Sequence, residues 1–340
     1  MNNLNILNDD INNVIFDQNI KWDNLRNKSV LITGATGIIG KSIAIVLGEI
    51  NKRFYFKITI YAIGRNIEKG KALEKIDGVK FINTDIRNKI IINESIDYII
   101  HCAAITESVK MLNAPVDVIE TELNGGKNVL DLALLKKVSG MVYTSSMELY
   151  GILNLPEIFE KDLGYIDLTN PRNSYPQSKR MMESMCNCFY SQYSLPINIV
   201  RLGMTFGAGM DFINDKRVWA QFARCIYKHE SIVLHTAGES LRSFVYISDA
   251  VKGIFIALLD KKYGETYNIA STYLKIKELA EKLANKFNLD VIINPPSDIN
   301  KTGYMSELML PLNSDKIKGI GWNPFIINVV DMFERTLISE

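Results

Sequence analysis

The sequence predicts an α/β fold, a doubly wound parallel sheet joined to a smaller C-terminal α/β lobe. From residue 29 onward, short apolar runs alternate with stretches of helical periodicity. The runs are four to six residues long and mainly apolar, the pattern of strands covered on both faces. A glycine-rich turn closes the first run and opens the first long helix, and right-handed crossovers then wind the sheet on both sides. With 340 residues, 47% of them hydrophobic and 23% charged, the chain can bury one large domain or a domain plus a lobe.

Residues 1–27 are rich in Asn and Asp, with apolar positions at Leu4, Leu7, Ile11, Ile15 and Ile20. They read as a short helical or irregular leader packed at the edge of the domain. Strands are expected at 30–33, 58–63, 79–82, 98–101, 141–144 and 197–200, and helices at 38–49, 67–75, 116–137 and 174–193. The first domain therefore spans 28–202, rejoined by parts of 240–272. In the lobe, mainly 203–340, helices are expected at 218–228, 250–259 and 276–287. Its short strands fall at 232–234, 243–246, 266–269 and 291–293. A cleft between lobe and sheet is a usual place for a ligand.

Composition excludes several classes. A net charge of +1 lacks the basic excess of a nucleic-acid binder, and the pairs Lys136-Lys137 and Lys261-Lys262 read as solvated faces. Cys102, Cys186, Cys188 and Cys225 form no C-x-x-C pair and no zinc spacing with histidine, so reduced thiols and no metal are expected. The first residues, MNNLNILNDDINN, show no secretory signal. No apolar stretch approaches the ~20 residues that span a bilayer. A cytoplasmic protein without a membrane partner is expected.

The turn at 34–40 is a phosphate cradle. Gly34 permits the tight bend, Gly37 lets backbone N–H groups approach a pyrophosphate, and Gly40 lets helix and strand pack closely. The helix N-terminus adds positive potential. Strand, turn and helix together indicate a Rossmann-type dinucleotide site. After the second strand the chain reads Ile63-Gly64-Arg65-Asn66. The carboxylate that would hold the ribose of NAD is missing there, and Arg65 leans toward the 2′-phosphate of NADP; a helix-start arginine exposed or stacked on adenine is the other reading. Asp85 and Ile86 are placed to meet adenine, although Asp85 can equally cap the next segment.

Tyr175 and Lys179 lie four apart at the start of a long helix, on one face. An ammonium beside a phenol is expected to lower its pKa from ~10. Such a tyrosine takes a proton from a substrate hydroxyl while hydride leaves the adjacent carbon. Pro176 suits the first turn. Residues 141–146 form a strand running into Ser145 and Ser146, and ligands of open α/β sheets sit at such C-terminal ends. Ser146 can therefore share the substrate oxygen with Tyr175, and Glu148 is carried into the same mouth. His101, His229 and His235 lie in no motif that needs imidazole.

These pieces resemble the extended short-chain dehydrogenase/reductases of the nucleotide-sugar epimerase/dehydratase family. The matching segments are GATGIIG at 34–40, DI at 85–86, HCAA at 101–104, SSMELYG at 145–151, YPQSK at 175–179, RLGMTFGAG at 201–209, RSFVYISDAV at 242–251, ETYNIAS at 265–271 and GIGWNP at 319–324. They run in the family's order over nearly everything after residue 28. The resemblance implies a catalytic set of Ser146, Tyr175 and Lys179, with Lys179 also on the nicotinamide ribose. It implies a tightly bound NAD or NADP held by Gly34, Thr36, Gly37, Ile38, Ile39, Gly40, Arg65, Asp85, Ile86, Ala103, Ala104 and Thr144, with Tyr175 and Lys179. A nucleotide-diphosphate sugar would meet Thr106, Ser145, Met147, Met204, Arg217 and Arg242, the two arginines otherwise being surface ion-pair partners.

By the same resemblance, Glu148 stands where sugar 4,6-dehydratases carry a C5 base and UDP-glucuronate decarboxylases an active-site glutamate. Residues 171–180, 214–218 and 242–244 are similar to the decarboxylase branch. Two departures stand out: Met147 replaces the Asp that dTDP-glucose dehydratases pair with the Glu, and Met204 replaces an Asn for the substrate diphosphate. The expected activity is a 4,6-dehydratase or epimerase of surface-polysaccharide sugar synthesis working through a 4-ketone. A UDP-glucuronate decarboxylase is the alternative, and an inactive NAD(P)-binding regulator is a third. Relatives pair as homodimers through a four-helix bundle that includes the Tyr-Lys helix, where Met181, Met185 and Phe189 lie at helical spacing.

Overall fold

The computed structural model describes residues 3–294 and 307–338, with side chains from residue 6 onward, so Leu4 lies outside the described side chains. A first helix, α1 (Asn3–Ile15), precedes β1 (Ser29–Thr33), α2 (Ile38–Phe54), β2 (Thr59–Gly64), α3 (Ile67–Leu73), β3 (Val79–Asn83) and β4 (Tyr98–His101). Two helices, α4 (Ser108–Asn113) and α5 (Pro115–Lys136), lead to β5 (Gly140–Ser146), and α6 (Ser174–Tyr193) leads to β6 (Ile197–Leu202). Then come β7 (Met204–Phe206), α7 (Val218–Lys228), β8 (Ile232–Leu234), β9 (Leu241–Tyr246), α8 (Ile247–Leu259) and β10 (Thr266–Ile269). The remaining described elements are β11 (Thr272–Lys275), α9 (Ile276–Phe287), β12 (Val291–Ile293), α10 (Asp315–Lys318) and α11 (Val329–Ile338).

Seven strands form one sheet in the order β3-β2-β1-β4-β5-β6-β10, every neighbouring pair parallel. Every residue of β1, β4 and β6 is buried, because helices cover both faces. This is why the strands read as continuous apolar runs and not as alternating ones. The strand order reverses between β1 and β4, so a crevice opens beyond their C-terminal ends. Thr33 and His101 are paired at that point, and the glycine turn and residues 102–104 leave the sheet side by side.

The later chain returns to this sheet: β10 pairs with β6, while α8, buried along its whole length, packs on β5 and β6. The strand β9 instead pairs antiparallel with β11 and parallel with β7, across the sheet's C-terminal side. A small parallel pair, β8 and β12, lies further out. The helix α2 runs past the expected residue 49 to Phe54. The reason is Asn51, which is buried and uses its amide on both the N–H and the carbonyl of Ile58, at 2.7 and 2.8 Å. A polar residue thus closes the turn into β2 from inside the helix.

The leader is a helix over Asn3–Ile15 followed by turns and a short 3₁₀ segment at Trp22–Leu25. Ile6, Val14 and Ile15 are buried in the main core, and Asp10 accepts hydrogen bonds from Arg335 (2.6 Å) and the Tyr246 hydroxyl (2.8 Å). A second polar tie crosses the core at Asp249, which is fully buried. Its carboxylate accepts the N–H groups of Phe325 and Ile326 at 2.7 and 3.0 Å, and its carbonyl accepts the Trp322 indole at 2.9 Å. These bonds hold residues 322–326 against α8. Asp249→Ala would strand the buried Ile326 N–H and the half-buried Phe325 N–H, so a loss of about 2–4 kcal/mol is expected. Thermal or denaturant unfolding of the variant reads it as a lowered midpoint.

Candidate active site

The turn after β1 is tight enough to demand its glycines. Gly34 has φ +67°, and a Cβ there would stand 2.8 Å from the backbone of Ala103. A Cβ on Gly40 would fall 2.5 Å from the Gly34 carbonyl oxygen, so α2 could not approach β1. The helix starts at Ile38 after Gly37, and no side chain caps its first turn. Its first N–H groups and its dipole therefore face the crevice.

A groove of about 560 Å³ runs from this turn across the sheet edge. Gly34, Thr36, Gly37, Ile38, Ile39, Gly40, Arg65, Asp85, Ile86, Ala103 and Ala104 all line it, together with Thr106 and Arg217. Its volume, its glycine floor and its uncapped helix end fit a dinucleotide with its pyrophosphate at the turn. Arg65 is exposed and stands 3.6 Å from Asp85. Arg87, which the sequence did not single out, grips Asp85 at 2.9 Å by side chain and backbone alike. Asp85 thus lines the groove and caps its own turn. Burial would raise its pKa, but the hydrogen bonds and charge of Arg87, with Arg65 beside them, hold it below the usual carboxylate range. The opposite wall includes Asn214, Asp215 and Lys216, and Arg217 is paired with Asp215 at 3.0 Å above the Trp219 ring.

Beyond the groove the three expected catalytic side chains converge. Tyr175 is 6% exposed and packs with Ala104, Ile105, Met111 and Val118, which joins it to the groove wall. Ser146 neighbours the Tyr175 phenol, where it favours the ionised form, and its hydroxyl accepts the N–H of Glu148 at 3.3 Å, capping the 3₁₀ turn Met147–Tyr150. Lys179 is fully enclosed. Its ammonium donates to the Thr144 carbonyl at 2.9 Å, pairs with Glu122 at 3.1 Å, and lies 5.7 Å from the Tyr175 ring centre. Thr144 contributes its carbonyl to that site, while its hydroxyl donates to the His101 carbonyl at 3.0 Å.

The expected acidification of Tyr175 is not what the structure shows. Burial dominates and raises its pKa; Lys179 pulls the other way, and Glu148 and Glu122 add to the rise. The four-residue spacing reveals the lysine's pull but not the desolvation that outweighs it. Lys179 itself is raised: burial works to lower it, and the charge of Glu122, then Tyr175, overcomes that. Glu122 escaped the sequence reading because a glutamate within a helix ordinarily faces water; the Tyr143 hydroxyl also donates to it. His101 is pushed down to about 3 by burial and then by Lys179, which keeps the ring neutral.

Glu148 projects toward the same place and is held by Arg172, at 3.1 and 3.3 Å. Arg172 is buried and, like Arg87 and Glu122, had no role assigned from the sequence. Buried Arg242 lies near enough to feel the charges of both Glu148 and Arg172; Arg172 is the guanidinium that binds the Glu148 carboxylate. Arg180 fastens the turn that carries Glu148, donating to the carbonyls of Leu149 (2.6 Å), Tyr150 (3.1 Å) and Gly164 (2.7 Å). The Ser145 hydroxyl is buried and has no hydrogen-bond partner among the described residues. Met147 and Met204 belong to one apolar cluster with Leu149 and Tyr150. Arg217 stands in the groove wall, whereas Arg242 stands with Glu148. Among the described residues no group of side chains could hold a metal ion, and no helix is long and apolar enough to cross a membrane.

Comparison with known proteins gives the family and the fold. The chain is 25% identical over 313 residues to the dTDP-D-glucose 4,6-dehydratase of Homo sapiens, covering 87% of this chain and 85% of that protein. It is 30% identical over 263 residues to a UDP-N-acetyl-alpha-D-glucosaminuronate decarboxylase of Bacillus cytotoxicus, covering 75% and 79%. Its fold matches an epimerase from Methanothermobacter thermautotrophicus with TM-score 0.80 at 22% identity, over 95% of each chain. A model of the NAD-dependent epimerase/dehydratase family matches residues 30–270. The chain belongs to the NAD-dependent epimerase/dehydratase family.

Proposed function

We propose that the chain binds NAD or NADP in the groove and oxidises C4 of a nucleotide-diphosphate sugar, leading to 4,6-dehydration or epimerisation. The observation that carries this is the convergence of Ser146, Tyr175 and Lys179 at the strand ends, with Glu148 on the adjoining turn. When bound, the nicotinamide accepts hydride from the sugar carbon bearing the reacting hydroxyl. Tyr175 takes that hydroxyl's proton, and Ser146 hydrogen-bonds the same oxygen. The Lys179 charge stabilises the phenolate that forms and offsets the burial that disfavours it. With a ketone at C4 the C5 proton becomes acidic, and Glu148 is the base within reach of it. Arg65 and Asp85, 3.6 Å apart, place a cation and a carboxylate at the adenosine end, and both NAD and NADP are within this reading.

A decarboxylase is the second reading, favoured by two arginines at this end of the site: Arg172, which binds Glu148, and Arg242, whose charge is felt by both. A guanidinium suits a sugar whose C6 is a carboxylate. Such a sugar, once oxidised at C4, is a β-keto acid and loses CO2. A substrate diphosphate would meet Arg217, with Thr106 and Ser145 nearer the sugar. The same proposal makes the molecule a cytoplasmic homodimer paired through α5 and α6, which expose Val116 and Met181. Sedimentation should then show a dimer; a monomer at all concentrations would remove that part.

Product mass separates the chemical readings. Purified protein incubated with UDP-, GDP-, CDP- and dTDP-sugars should release products lacking water for a dehydratase, unchanged in mass for an epimerase, or lacking CO2 for a decarboxylase. No turnover of any of them would contradict the proposal. In Tyr175→Phe, turnover should fall by about 10²-fold or more, the usual weight of a positioned acid–base group. Cofactor should remain bound, as a fluorescence titration would show. Full activity in that variant would take the tyrosine out of the mechanism and reopen the reading of an inactive regulator.

A further inference from the structure

Glu122 is 1% exposed and projects from the middle of α5 onto the underside of the Tyr-Lys pair. One of its oxygens meets the Lys179 ammonium at 3.1 Å and accepts the Tyr143 hydroxyl. A buried ion pair is a poor stabiliser, since an apolar residue of similar size usually packs as well. Its presence directly beneath a reacting group therefore calls for another account. We propose that Glu122 is a positioning residue for the proton step: its carboxylate holds the Lys179 ammonium against the Tyr175 phenol and governs the acidity of that pair. This rests on the reading of Tyr175 as the proton acceptor.

The groups facing the pair can be taken element by element. From α5 comes Glu122. From α6 come Glu183, whose charge is engaged by Arg201 of β6 at 2.6 Å, and Cys186, whose thiol burial pushes far up. From β5 comes Tyr143, raised by burial and by Glu122. From β4 and its end come His101, neutral above about 3, and Cys102, raised to about 12 chiefly by burial. From the turn after β5 comes Glu148, already paired with Arg172. Among the described residues Glu122 is therefore the one carboxylate in direct contact with Lys179. An enclosed lysine without such a partner sheds its proton; with it, the ammonium is kept and both Lys179 and Tyr175 hold their protons to higher pH.

Removing the anion weakens proton binding at Lys179 and Tyr175 alike, so the pair loses its first proton at lower pH whichever site releases it. In Glu122→Gln holoenzyme, the rising limb of the kcat/KM profile, measured with the nucleotide sugar that the wild type turns over, should move to lower pH by about one unit or more. NMR titration of ring-labelled tyrosine without substrate, with the Tyr175 signal assigned from Tyr175→Phe, should show the same displacement. An unchanged limb and an unchanged tyrosine titration would overturn the proposal, because a merely structural glutamate alters amount or overall rate and not the pH dependence. Should Glu122→Gln fail to fold, Tyr143→Phe serves. It strips a hydrogen bond from the carboxylate and strengthens its hold on Lys179, so the limb and the titration should move up, and their constancy would overturn the proposal. Failure of the underlying reading is distinct: it appears as full activity in Tyr175→Phe, whatever the titrations show.

Discussion

The ammonium of Lys179 is enclosed by the protein, so its partners come from the fold. Glu122 supplies the charge from α5, Thr144 a carbonyl from β5, and Tyr143 and Tyr175 the faces of two rings. A buried ion that loses one partner costs several kcal/mol. The mutual placement of α5, α6 and β5 is therefore fixed by the lysine as much as by the apolar side chains between them. The same contacts leave the Tyr175 phenol beside Ser146 at the end of β5. Structural necessity and proton chemistry here share one set of atoms.

Around this point the fold adds polar ties where loops would otherwise be free. Arg180 fastens the turn Met147–Tyr150 to α6 by two of its carbonyls and takes a third from Gly164. Arg201 joins Glu183 of α6 to the Tyr150 hydroxyl (2.8 Å), which donates onward to Asn268 of β10 at 2.6 Å. The segment bearing Glu148 is thus anchored to three neighbouring elements. Fully satisfied networks of this kind rigidify a site at low dielectric. The reversal of strand order between β1 and β4 does the remaining work by opening the groove beside Ala104, which also touches Tyr175.

Much of this was legible in the chain. The strands at 98–101 and 232–234 and the helices at 174–193 and 218–228 lie where apolar periodicity puts them, because burial on a fixed face leaves a regular trace. The glycine turn was legible because its backbone tolerates no Cβ. Short β7 and β11 leave no such trace, and the Asn-rich leader conceals a helix whose packing depends on Arg335 and Tyr246 far along the chain. Glu122 and Arg172 look like surface charges until their partners are in place. The acidity of Tyr175 could not be read from spacing, since the dominant influence is enclosure by Ile105, Met111 and Val118.

The central claim is that the Tyr175 centre oxidises the sugar carbon bearing the hydroxyl it deprotonates. It is met most directly by a single turnover with a nucleotide sugar deuterated at C4. The account predicts a slowed redox step, with the label on the nicotinamide while the ketone is present. Label that stays on the sugar throughout, or appears in solvent, with no change in rate, would contradict it.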